Sequence, residues 1–413
     1  MKRLLISGIL LLSCASLLQA GDFDRWFEDA TLRLDYVFCG NASKQEIFFS
    51  EAFRTSEWAG RRTRLDEVLL EGNGQIRLTD PETDKVLYVN SFSTLFQEWT
   101  SYEEATLVDR AFENCFQVPF PKAPVRVTVT LTDNHRKVSA RMSHIVDPAD
   151  ILIRPLSDNG HSRTVLHRGG DPQRACDVVI LAEGYTAAEK PKFYRDAART
   201  VEALLSHEPF ASRKDCFNFT AVAPVSDDSG VSIPHKGVWK RTPASSHFDT
   251  FYVDRYLTTA NMKDVYDAIG TVPFEHVIVL ANTPVYGGGG IFNSVTIMGS
   301  DHPTFRVVIV HEFGHAFAGL ADEYYYDDMY EPMYPADTEP WEPNITTKVD
   351  FASKWQDLLE AGKAGIFEGA GYSSKGVFRP ADDCRMKTNT CPDFCPVCTR
   401  AINRIIDYYT AGE

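Results

Sequence analysis

The sequence predicts an α/β domain preceded by a β-sandwich-like domain. Up to about residue 150, short segments alternate apolar and polar residues at the period of a half-buried strand. Residues 147–172 concentrate chain breakers. Beyond them, continuous apolar strands alternate with capped helical segments, which is the pattern of a layered α/β fold. A length of 413 residues suits two or three domains. A chain that is 44% hydrophobic and 24% charged is not disordered, collagen-like or coiled coil. The net charge of −15 argues against a nucleic-acid partner, because a phosphate backbone needs a basic footprint.

The chain starts with Met1-Lys2-Arg3, then runs almost wholly apolar from Leu4 to Leu18, then turns small and polar at Gln19-Ala20-Gly21. Residues 1–20 therefore read as a signal peptide, cleaved after Ala20. The run is short for a membrane span of roughly 20 residues, and no later stretch is long enough. Leu12-Ser13-Cys14 offers an alternative, a lipid anchor at Cys14. The expected localisation is outside the cytoplasm: periplasmic, cell-surface or secreted. Removing Lys2 and Arg3 leaves 40 basic against 57 acidic residues, a net −17.

Residues 21–150 form the predicted β-rich domain. Thr31-Leu-Arg-Leu-Asp-Tyr-Val-Phe38, Gln75–Leu78, Lys85–Asn90 and Val125–Leu131 alternate, and Gly72-Asn73-Gly74 and Thr132–His135 punctuate them as turns. No catalytic constellation falls there, so the domain reads as a folding or substrate-positioning module. Residues 151–172 read as a linker. Residues 173–413 form the α/β domain. It opens with the apolar strand Asp177–Gly184 and the capping-box pattern Thr186-Ala-Ala-Glu189, which starts a helix through about Leu205. Phe217–Pro224 and His276–Ala281 read as further buried strands.

His311-Glu312-Phe313-Gly314-His315 carries the chemistry. On a helix, positions i and i+4 share one face, so both imidazoles reach one Zn²⁺ and Glu312 sits beside it as general base. Pro303 suits a first turn and Gly319 a helix end. Gly319 followed three residues later by Asp322 resembles the glycine-to-ligand step of metzincin peptidases, with aspartate as third ligand. Glu323 is the alternative ligand. Met386 in Cys384-Arg-Met-Lys387 is placed like the metzincin Met-turn, and Tyr324 is the nearest oxyanion donor. Gly287–Gly290 let a backbone approach something closely. Residues 290–298 read as an edge strand for extended substrate, with Gly289, Gly290 and Ile291 as the substrate strand.

Together these motifs resemble the immunoglobulin A peptidase-like family of secreted bacterial zinc metallopeptidases. The residues that carry the likeness are Ala182–Tyr185, Asp228–Ser232, Tyr286–Gly290, His311–His315 with Leu320–Tyr324, and Cys384–Met386 with Phe394–Cys398. It spans roughly residues 150–410, and the N-terminal segment resembles the extra domain of some members. The resemblance implies a metzincin-like catalytic domain, one catalytic Zn²⁺ and endopeptidase activity on a protein or peptide substrate. It does not imply immunoglobulin as that substrate.

Eight cysteines remain after the leader: Cys39, Cys115, Cys176, Cys216, Cys384, Cys391, Cys395 and Cys398. An even count in an exported chain favours disulfides. The spacing of Cys384, Cys391, Cys395 and Cys398 also permits a structural Cys₄ zinc site. Two other functions stay open on sequence alone: a cell-surface binding module with a vestigial zinc site, and a zinc amidase acting on cell-wall peptides.

Overall fold

The computed structural model describes residues 22–326 and 333–410. The expected signal peptide, and Cys14 with it, lies outside the described residues. The chain is a mixed α/β protein with several sheets. Among the described residues no helix is long and apolar enough to cross a membrane.

A one-turn helix α1 (Asp22–Trp26) leads into β1 (Phe27–Gly40), β2 (Gln45–Thr55), β3 (Gly74–Thr79) and β4 (Val86–Phe92). Helix α2 (Leu95–Trp99) follows, then β5 (Arg110–Pro121), β6 (Val125–Thr132), β7 (Val138–Val146) and the two-residue β8 (Arg154–Pro155). They form two sheets, ordered β5-β1-β2-β8 and β4-β3-β6-β7. The alternation in β6 does what its period demands: Val125, Val127, Val129 and Leu131 are buried while their neighbours are half-exposed. Phe92 of one sheet meets Phe38 and Phe116 of the other at centroid distances of 6.3 and 4.3 Å, so the sheets share one core.

Strand β1 departs from the half-buried reading. Its polar face is buried as well, because it lies against the C-terminal half of the chain. There Arg33 donates from Nε and Nη2 to the Asp35 carboxylate, both at 2.8 Å, and from Nη1 to Asp267 at 2.6 Å. Alternation reveals which side chains share a face. It cannot tell whether water or another part of the chain covers that face.

The second half holds β9 (Ser162–Arg168), β10 (Cys176–Glu183), helix α3 (Lys190–Leu205), β11 (Phe217–Ala223), α4 (Met262–Ile269) and β12 (His276–Ala281). The hairpin β13 (Gly288–Ile291) and β14 (Val295–Gly299) precedes helix α5 (Phe305–Ala318). Helix α6 (Gln356–Glu360), the small hairpin β15 (Phe367–Ala370) and β16 (Ser373–Arg379), and helix α7 (Pro396–Thr410) complete it. The six-stranded sheet runs β13-β14-β12-β10-β11-β9. Its four inner strands are parallel and mostly apolar, as suits strands covered on both faces. The capping box at Thr186 and Glu189 forms and starts the turn that runs into α3.

Three sequence expectations are corrected here. Part of the segment read as linker is β9, which pairs antiparallel with β11 at the sheet edge. Breakers flank it on both sides and hid it. Residues 290–298 are not one edge strand. Asn293 adopts φ of 50° and turns the chain, so β13 is the edge while β14 is paired on both sides. Helix α5 also starts later than expected, with Pro303 before its N-cap, Thr304.

His276 opens β12, buried against Phe317 at 4.9 Å and Tyr409 at 5.3 Å, and its Nε2 has no hydrogen-bond partner. Burial pushes its pKa from 6.5 down to about 3. The folded state therefore binds this proton less readily than the unfolded chain does. The stabilisation is complete above 6.5 and is lost as pH falls toward about 3. His276→Phe, which keeps a ring without the titration, should flatten the acid limb of the stability–pH curve. Urea unfolding from pH 4 to 8 measures this.

Candidate metal centre

Helix α5 carries His311, Glu312 and His315 on adjoining faces, and Gly319 ends it in the left-handed region at φ 60°. That reversal brings the Leu320 carbonyl back to His315 Nδ1 at 2.5 Å. His311 Nδ1 meets the Arg385 carbonyl at 2.9 Å. A carbonyl only accepts, so each Nδ1 carries the hydrogen. Each Nε2 is then left as a nitrogen that could ligate a metal ion.

The two Nε2 atoms lie 3.0 Å apart. Asp322 Oδ1 sits 3.0 Å from one and 3.3 Å from the other. Ligand atoms around a tetrahedral ion with bonds of about 2.0–2.1 Å would be about 3.3 Å apart. Asp322 Oδ1 is buried and has no hydrogen-bond partner, while Oδ2 accepts from the Tyr372 hydroxyl at 2.6 Å. The three side chains thus form a group that could hold a metal ion. The electrostatics agree. Burial opposes charge on His315, but the Asp322 carboxylate outweighs it and raises the pKa to about 9. Burial likewise works to raise Asp322, and the two imidazoles pull it well below its usual range. A cation would replace the proton this cluster retains.

The centre opens into a cavity of about 700 Å³. Glu312, Tyr324, Gly289, Gly290 and Ile291 line it with His311, His315 and Asp322, and the N-terminal half contributes Thr94, Gln97 and Glu98. Burial raises the pKa of Glu312, and the neighbouring imidazoles oppose the rise. The ring of Tyr324 lies nearly parallel to that of His311, with centroids 6.4 Å apart. The glycine run has a steric cause. A Cβ on Gly290 would stand 2.2 Å from the Glu312 carbonyl oxygen and 2.9 Å from His315 Cβ. A Cβ on Gly289 would meet the Tyr256 ring at 2.9 Å. Met386 is fully buried beneath α5, its sulfur 3.1 Å from where a Cβ on Gly314 would be.

Glu323, the alternative ligand, turns away from the imidazoles toward Asn344 and Cys398. No disulfide links the eight cysteines among the described residues. Cys384 Sγ and Cys398 Sγ stand 3.8 Å apart, against about 2.05 Å for an S–S bond. Sequence reasoning missed Tyr372, whose contact with Asp322 spans fifty positions and follows no spacing rule. It also missed Glu98, which accepts from the Tyr256 hydroxyl at 2.6 Å. Burial raises the pKa of Glu98 to about 7 against the pull of that hydrogen bond. No sequence pattern relates a residue of a β-rich module to a helix two hundred positions on. A helix-borne His–Glu–His set with an aspartate, open to a cavity, defines a candidate hydrolytic metal centre.

The chain matches the family IgA Peptidase M64 over residues 164–364 and 360–406, and Peptidase M64 N-terminus over residues 22–143. The first match alone spans more than half of the 413 residues, so the chain belongs to the IgA Peptidase M64 family and is a peptidase. No curated protein matches it.

Two substitutions probe the geometry. Gly290→Ala should destabilise the fold by roughly 1–3 kcal/mol, because neither backbone can yield freely. A thermal melt with unchanged Tm would contradict the close packing of β13 on α5. Tyr372→Phe should weaken divalent-cation affinity roughly 10- to 100-fold through loss of the hydrogen bond that aims Asp322. Competition with a chromogenic chelator reads it.

Proposed function

We propose that the chain is an exported zinc-dependent endopeptidase with a metzincin-like catalytic domain. The observation that carries this is the convergence of His311 Nε2, His315 Nε2 and Asp322 Oδ1 within 3.3 Å, beside Glu312 in an open cavity. Two imidazoles and one carboxylate suit Zn²⁺ with a coordination position left for water or substrate. When bound, the ion would supply Lewis acidity, lowering the pKa of a water and polarising the scissile carbonyl.

The chain's own residues do the rest. Glu312 takes a proton from the attacking water and returns it to the leaving amine. Its burial raises its pKa toward the range in which a carboxylate works as base and acid. The Tyr324 hydroxyl is the donor for the developing oxyanion. Gly289, Gly290 and Ile291, on edge strand β13, pair with an extended substrate backbone. Glu98 and Gln97 of α2 also line the cavity, which gives the N-terminal half a substrate-positioning role. Met386 packs under the helix as the Met-turn residue.

Glu312→Gln in the purified protein should keep its metal while hydrolysis of a denatured protein substrate falls roughly 10²- to 10⁴-fold. Unchanged turnover would remove Glu312 from the mechanism. Turnover insensitive to a chelator would remove the metal.

A further inference from the structure

Behind the metal centre lies a second cluster that the proposed reaction does not use. Cys384, Cys395, Cys398 and Glu323 bring their ligating atoms within 4.8 Å of one another, and all four residues are buried. Cys384 Sγ and Cys398 Sγ are 3.8 Å apart, and Cys398 Sγ is 3.2 Å from Glu323 Oε1. Two thiolates on one tetrahedral zinc, each at about 2.3 Å, stand about 3.8 Å apart. The sulfurs also receive backbone donors. Cys395 N–H points to Cys384 Sγ at 3.3 Å, and Cys398 N–H to Cys395 Sγ at 3.5 Å. Such donors favour charged sulfur over thiol.

Glu323 supplies an independent sign. Its side chain is fully buried, Oε1 accepts from Asn344 Nδ2 at 3.0 Å, and Oε2 has no partner. An ionised carboxylate in that setting is costly unless a cation meets it. A disulfide between Cys384 and Cys398 would leave the Cys395 thiol and the Glu323 carboxylate buried without a use. A four-coordinate cation uses all four groups. Cys391 stays outside, its thiol directed at the Asp393 carbonyl at 3.4 Å.

We propose that Cys384, Cys395, Cys398 and Glu323 bind a second, structural zinc ion. With four protein ligands the site is closed and holds no water for catalysis. Its place in the chain gives it a task. Glu323 follows Asp322 directly, and its N–H donates to the Met386 carbonyl at 2.8 Å. Cys384 precedes Arg385, whose carbonyl orients His311. Cys395 and Cys398 sit at and just inside the start of α7. One ion would tie together the segment bearing the third ligand, the segment orienting the first, and the last helix.

Elemental analysis of the full-length protein should find two zinc ions per chain. His311→Ala/His315→Ala, which dismantles the first centre, should retain one. Cobalt exchanged into that double variant should show a near-ultraviolet thiolate charge-transfer band, and further Cys398→Ser should abolish it. If Cys398→Ser fails to fold, thiol titration of the double variant decides: Cys384, Cys395 and Cys398 should react only after chelation. A double variant free of metal would overturn the proposal, and so would a disulfide mapped within residues 384–398. Absence of hydrolysis by the unaltered protein with both zinc ions bound would count against the catalytic reading alone.

Discussion

The site depends on where two imidazole protons are held. Helix geometry places His311 and His315 on one face, but it does not aim their Nε2 atoms. The carbonyls of Arg385 and Leu320 do that by accepting from Nδ1. One acceptor comes from the turn that Gly319 makes and the other from a segment seventy positions away. With both rings fixed, the Asp322 oxygen completes a pocket of three lone-pair donors and no proton donor. The arrangement is stable only with a proton or a cation inside it.

Much of the surrounding structure keeps that geometry rigid. Strand β13 lies so close to α5 that only glycine fits at position 290. Met386 fills the space beneath Gly314 from the other side. The hydroxyl of Tyr372 holds one oxygen of Asp322 and so presents the other. The helix is thereby clamped between a strand edge and a buried sulfur, and His311 and His315 have little freedom to shift.

The N-terminal half is part of the same construction. The pair Arg33 and Asp35 is buried in the interface and reaches across to Asp267 near the end of α4. Burial of such a pair costs desolvation that its geometry must offset, so it is not by itself a source of net stability. The consequence is a cavity lined from both halves, in which Glu98 shares the lining with His311, His315 and Asp322. A family with a dedicated N-terminal segment is understandable in these terms: without it one wall of the cleft is missing.

The sequence by itself determined what local rules govern. Alternation located β1, β3, β4 and β6 but not β2, β5 or β7, the capping box formed where expected just ahead of α3, and H-E-x-x-H with the glycine step singled out His311, Glu312, His315 and Asp322, of which the two histidines and the aspartate meet in the structure. These succeed because each depends on the pitch of one helix, the pleat of one strand or the reach of one turn. Linker limits failed at β9, and the edge strand failed at Asn293, because pairing partners and turn conformation decide there. The nearness of Asp322 and not Glu323 to the two imidazoles, the hydroxyl of Tyr372, the carboxylate of Glu98 and the gathering of three cysteines around Glu323 were decided only by the tertiary structure. Each joins atoms distant in sequence, and a linear pattern of residue types carries no record of which buried polar groups must meet.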